Sequence, residues 1–237
     1  MRFVKLNNSL FIIGDETTTL SLAQLSDFGL NLPSLNVASL KPEDFTYNNV
    51  ANKNIRLHSR KTRCLLECLN YLKFDQIKNN YSSERIGIYI NGSHNVLDFK
   101  LPGFSKLDSG ENSLYEIYRG NISPTHNVQN LVGIIPGHIA IYHEIHGPTF
   151  AISSMGINQI LNKARIDLTT DAIDLAVVGI VNTYEDPMTL AWHSNKSENK
   201  NIAEAAGIIL LTKNDHFLYG DQNSSSNYYG YLSGLLT

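Results

Sequence analysis

The chain has 237 residues, 42% of them hydrophobic and 17% charged, with a net charge of −3. That length exceeds the usual 150 or so residues of one domain and allows a sizeable core. The slight acidity excludes the basic footprint of a nucleic-acid binder, and no apolar run approaches the 18 or so residues needed to span a bilayer. The apolar run at 10–14 is too short for a signal-peptide core, so a cytoplasmic, reduced protein is expected.

In chain order, residues 10–13 read as a strand and 20–28 as a helix entered from Thr17, Thr18 and Thr19. Pro33 and Pro42 punctuate the next stretch, and 48–54 is a polar loop. The basic run 56–63 reads as the start of a helix rather than a phosphate-binding stripe. Residues 60–72 have amphipathic helical spacing. Cys64 and Cys68, four apart, share a face with Leu65, Leu69 and Leu72. Two small core residues explain that pair better than a disulfide or a metal site. Residues 78–83 form a polar loop, 85–90 a short buried strand, and Asn91-Gly92-Ser93 carries turn chemistry that ends it. Residues 103–110 read as loop and 113–118 as one or two helical turns. A helix over 131–145 is expected to be interrupted at Pro136-Gly137.

Gly147-Pro148 breaks that helix. Next come a strand over 149–153, a helix over 156–166 and a buried strand over 175–181. A polar loop at 195–201 precedes a strand at 206–211, with a hairpin suggested into 217–220. The tyrosines at 228, 229 and 231 belong to a tail, 221–237, suited to docking or to loose order. Strands alternating with helices imply an α/β layer architecture with a largely parallel sheet. No internal repeat or heptad is present.

Several short stretches, in a fixed order, resemble the β-ketoacyl synthases of the thiolase superfamily. These are Ser59-Arg60, Glu84-Arg85-Ile86-Gly87, Ser123-Pro124, Gly137-His138 and Gly147-Pro148, then the stretch from Thr149 to Ser154. Downstream come Asp174-Leu-Ala-Val-Val-Gly179 and Glu204-Ala-Ala-Gly207. The resemblance covers about 59–211. It implies one domain over 1–237, a single thiolase-like half: a mixed, mostly parallel sheet with helices on both faces.

In that family the cysteine nucleophile stands nine positions after the glycine of Gly-Pro, a slot filled here by Gly156. Glycine has no side chain to carry an acyl thioester, and the neighbouring Met155 offers only a thioether. The family's two active-site histidines belong to its C-terminal half, and this sequence ends about thirty residues after Glu204. The resemblance therefore implies a non-catalytic subunit of the chain-length-factor kind, in polyketide or aryl polyene synthesis. Its partner would be a β-ketoacyl-ACP synthase in a heterodimer, with acyl carrier protein met indirectly and no cofactor. The family pairs the strand before the nucleophile across a two-fold axis. Thr149, Phe150, Ala151, Ile152, Ser153 and Ser154 are thus the expected partner interface, with Phe150 and Ile152 facing one layer. A proline at Ile152 would remove a ladder donor. Thr125 and His126, after Ser123-Pro124, and Met155 are expected to line an acyl tunnel.

Rival readings carry less chemistry. Ser153 or Ser154 could serve an acyltransferase or hydrolase acting on carrier-bound acyl groups, but Ile-Ser-Ser-Met-Gly is not a nucleophile elbow. An independent homodimeric binding module is the third reading. His138, His143 and His146 lack metal-ligand spacing and are read as structural or surface residues. Gly87, Gly92 and Gly179 do not form a phosphate-binding loop. Glu204 is read as a buried or interfacial carboxylate rather than a general base.

Overall fold

The computed structural model describes residues 2–6, 9–14, 16–20, 35–41, 45, 58–92, 131–153, 157–183 and 201–213. Its strands are β1 (Arg2–Leu6), β2 (Ser9–Ile13), β3 (Glu16–Leu20), β4 (Leu35–Ser39), β5 (Ile86–Gly92), β6 (Thr149–Ser153), β7 (Leu175–Asn182), β8 (Asn201–Ala203) and β9 (Ala205–Thr212). Its helices are α1 (Arg60–Tyr71), α2 (Phe74–Lys78), α3 (Ile134–His143) and α4 (Ile157–Thr169). One sheet runs β1-β2-β9-β7-β5-β6, and a smaller one runs β3-β4-β8.

The larger sheet is mixed, as the resemblance implied. β5 pairs in parallel with β6 and with β7, whereas β1–β2, β2–β9 and β7–β9 are antiparallel. Three of its five pairings are therefore antiparallel, against the expectation of a mostly parallel sheet. The alternation that calls for parallel crossovers holds only from β5 to β7, where α3 and α4 intervene. β1 and β2 lie two residues apart in the chain, which permits only an antiparallel return.

Strand alternation sends side chains into two separate cores. Leu10, Ile12, Ile86, Ile88, Ile90, Val177, Ile208 and Leu210 meet α1 and α3 through Leu65, Cys68, Leu69, Ile135 and Ile139. Phe11, Tyr89, Val178, Ile180, Ile209 and Leu211 meet Ile160, Leu161, Ala164 and Leu168 of α4. Helices thus cover both faces. Where two large groups would collide, a glycine stands instead: Phe11 lies opposite Gly207 in the β2–β9 register, and a Cβ there would fall 2.1 Å from its ring.

Local chemistry explains the helix limits. Ser59 caps α1, its Oγ accepting from Thr62 N at 3.2 Å. Cys64 and Cys68 are buried free thiols, as expected for core residues. Burial pushes the Cys68 thiol well up, and its Sγ lies 3.7 Å from Ala206 O. Pro136 does not interrupt α3. It is the third helical residue after the Gly133 cap, in the first turn, where the backbone N–H has no helical acceptor to lose.

Two other expectations are corrected. Thr17, Thr18 and Thr19 lie inside β3 rather than entering a helix, consistent with β-branched stiffness. Asn91 and Gly92 extend β5 instead of ending it, because both neighbouring strands pair with them. Of the helix expected over 20–28, Leu20 ends β3 and 21–28 lie outside the described residues. The loops at 48–54 and 103–110, the helical turns at 113–118, the hairpin at 217–220 and the tail 221–237 lie outside them too. Among the described residues, no helix is long and apolar enough to cross a membrane.

Candidate functional site

The stretch singled out in the sequence occupies the end of the larger sheet. β6 pairs only with β5 among the described residues, in the register Ile88↔Thr149, Ile90↔Ala151 and Gly92↔Ser153. Ala151 packs against the α1–α3 core and Ile152 against the α4 core. Alternation places Phe150 on the Ile152 side, as expected, and it is 36% exposed.

Backbone direction follows from the same register. Ile88 N donates to Pro148 O at 2.9 Å. The parallel ladder then turns the N–H groups of Phe150 and Ile152 toward β5 and those of Thr149 and Ala151 toward the open side. A proline at Ile152 would therefore break the internal ladder; Ala151 is the position whose donor faces outward. An edge of this kind, with outward N–H and C=O groups, is a template for strand addition.

The carboxyl ends of β5, β6 and β7 share one side of the sheet, where open α/β sheets place their ligands. A row of buried polar groups lies there: Asn91, Asn182, Thr183 and Glu204. Glu204 is 1% exposed and holds the two sheets together. Its carboxylate accepts from Leu40 N at 2.7 Å and from Arg60 at 2.5 Å, while its N–H donates to Ala38 O and its carbonyl accepts from Gly14 N, both at 2.9 Å. The guanidinium of Arg60 also donates to Leu40 O. This is the structural carboxylate expected at that position.

The amino ends are fastened differently. Arg85 grips Asp174 with two hydrogen bonds, 2.5 and 2.8 Å, and reaches Asp171 at 2.9 Å. These bonds, first among its causes, hold the Asp174 carboxyl at about 2. Lys213 joins the same carboxylates. Gly147 lies so close to β5 that a Cβ there would fall 2.2 Å from Ile86 O, which explains glycine before Pro148.

The histidines separate. His143 is buried and bonded through Nδ1 to Asp75 at 3.0 Å. His146 is exposed beside Ser83, 3.1 Å away. His138 meets His58 edge-to-face, ring centroids 5.1 Å apart. Burial first, then His138 and Arg63, lower His58 to about 4. Among the described residues no group of three or more His, Cys, Asp or Glu is placed to hold a metal ion. Ser153 closes β6, whereas Ser154, Met155, Gly156, Thr125 and His126 lie outside the described residues. Sequence reasoning misses the Arg60–Glu204 and Arg85–Asp174 pairs, although the resemblance marks all four positions.

No family model matches the chain, and no curated protein matches it. Solved structures do. A ketosynthase in complex with its chain length factor from Xenorhabdus doucetiae, ApeO with ApeC, matches at TM-score 0.56 and 18% identity, over 86% of this chain and 58% of that one. The ishigamide ketosynthase/chain length factor matches at 0.60 and 16%, over 84% and 55%. The type II PKS acyl-carrier protein complex AntDE:AntF, with its ketosynthase bound to the hexaketide, matches at 0.56 and 12%, over 88% and 59%. The fold is that of the ketosynthases and their chain length factors. This chain spans less than two thirds of the length of each matched chain. Within the ketosynthase fold the resembling motifs acquire physical roles: Ser59 caps a helix, Arg60 pairs with Glu204, and Arg85 pairs with Asp174.

Proposed function

We propose that this chain is a ketosynthase-like subunit that does not condense acyl chains itself and completes a heterodimer with a full-length β-ketoacyl-ACP synthase. The observation that carries the reading is the edge of β6, which among the described residues pairs on one side alone and turns the backbone of Thr149 and Ala151 outward, toward an added strand. The fold it shares with ketosynthase–chain length factor complexes supports the choice of partner. Gly156 in the nucleophile slot supports the lack of condensing chemistry, since no side chain there can hold a thioester.

In this reading Thr125, His126 and Met155 help line the partner's acyl tunnel and limit product length, and acyl carrier protein is met through the ketosynthase. An aryl polyene or other polyketide is the product class.

Co-expression with a full-length β-ketoacyl-ACP synthase from the same organism tests the pairing. Ala151→Pro removes an outward donor at an edge position, where proline is tolerated. The variant should keep its fold and lose the ketosynthase on size-exclusion chromatography. Retention of the partner would refute strand addition at β6. Thr125→Trp should shorten the product of the complex; unchanged product length would count against tunnel lining.

A further inference from the structure

α3 contains no Asp, Glu, Lys or Arg over its ten residues. Ile135, Pro136, Ile139 and His143 turn inward. At 3.6 residues per turn the opposite arc carries Ile134, Gly137 and Ile141. Ile141 is 68% exposed, and Leu131, just ahead of the helix, is 58% exposed. A surface helix normally sets polar groups on its outer face, as α4 does with Asn158, Gln159, Asn162 and Thr169. α4 exposes a lone Ile166 among them, which is ordinary for a soluble surface.

Position gives the apolar face of α3 its meaning. α3 packs over β5 and β6, whereas α4 packs over β5 and β7. Among the described residues α3 is therefore the helix that flanks the edge of β6, and Phe150 flanks it on the other face of the sheet. Size argues in the same direction. A five-residue edge is roughly 17 Å long and one sheet about 10 Å thick, on the order of 170 Å². A stable partnership needs about 800 Å² from each side. Strand addition at β6 cannot supply that area, so its partner must also cover neighbouring surface.

We propose that the outward face of α3, built on Leu131 and Ile141, is the second half of the partner interface and receives an apolar surface of the same ketosynthase whose strand adds to β6. The inference rests on the pairing reading above. The partner straddles the edge, with α3 on one flank and Phe150 on the other.

Ile141→Asp, Leu131→Asp and Ile166→Asp test it, each compared with wild type by circular dichroism alone and by affinity for the co-expressed ketosynthase. All three positions are exposed, and Leu131 lies outside any helix, so at least one interface variant should retain the native spectrum. Ile141→Asp and Leu131→Asp should each weaken association by about tenfold or more, while Ile166→Asp changes it by less than about twofold. Wild-type affinity in both folded α3-face variants would overturn the proposal and leave strand pairing standing. Loss of a homodimer of this chain, with the ketosynthase complex intact, would also overturn it by assigning the face to a second copy. A wild-type chain that binds no ketosynthase would remove the pairing reading itself.

Discussion

The two ends of the central sheet are fastened by the same chemistry in different media. At the carboxyl end, Arg60 meets a Glu204 carboxylate that water barely reaches, and the pair ties the two sheets through Leu40 and Gly14. At the amino end, Arg85, Asp171, Asp174 and Lys213 form a larger network that stands partly in solvent. The more exposed network is the weaker fastening. Exposed ion pairs contribute little because water and salt screen them, whereas removing one member of a buried pair strands a desolvated charge.

Substitutions that break the comparison should follow that ranking. Arg60→Ala should cost about 3–5 kcal/mol in chemical denaturation by leaving Glu204 buried without its cation. Adding Glu204→Gln, which still accepts from Leu40 N, should recover part of the loss. At the amino end, Gly147→Ala should cost about 1–3 kcal/mol, since the Ile86 carbonyl it strikes is backbone and must shift.

The pH dependence of stability should sharpen the contrast by reporting each end in its own window. His58, one residue before the cap of α1, has a folded value near 4 against an ordinary 6.5. The unfolded chain takes that proton first, so stability falls as pH drops from about 6.5 to 4. His58→Gln should flatten this shoulder in a pH series of melting temperatures. Asp174 falls from 3.8 to about 2, so its contribution is present above pH 3.8 and is lost below it. The smallest effect belongs to Arg85→Ala: a modest drop in melting temperature that shrinks toward zero near 1 M salt, where the screening length is about 3 Å.

How much of the molecule is legible in the sequence depends on the range of the signal. β7 and β9 declare themselves as short apolar runs, and α1 by the spacing of Cys64, Leu65, Cys68 and Leu69; its Ser59 cap emerges only from the structure. The bounds of β6 are legible to the residue because Gly147-Pro148 clears its start. Pro136 misleads because a proline in a first helical turn looks, in sequence, like one that breaks a helix. The threonines of β3 mislead because they suit a cap as well as a strand. Arg60 and Glu204 lie 144 positions apart, and no periodicity links such residues; only the fold does. The outward direction of the Ala151 N–H is equally hidden, since a shift of one residue in register reverses it.

β2 lies between β1 and β9, so the hairpin at the start of the chain completes its pairing with a strand whose residues come almost two hundred positions later. At ordinary rates of synthesis, about 5–20 residues per second, that interval is roughly 10–40 s. Pairings of such sequence separation also carry the loop-closure penalty that slows folding. For that time the nascent Leu10-Phe11-Ile12-Ile13 segment has no β9 to cover it, so its apolar side chains stay uncovered on that side until the end of the sheet has been made.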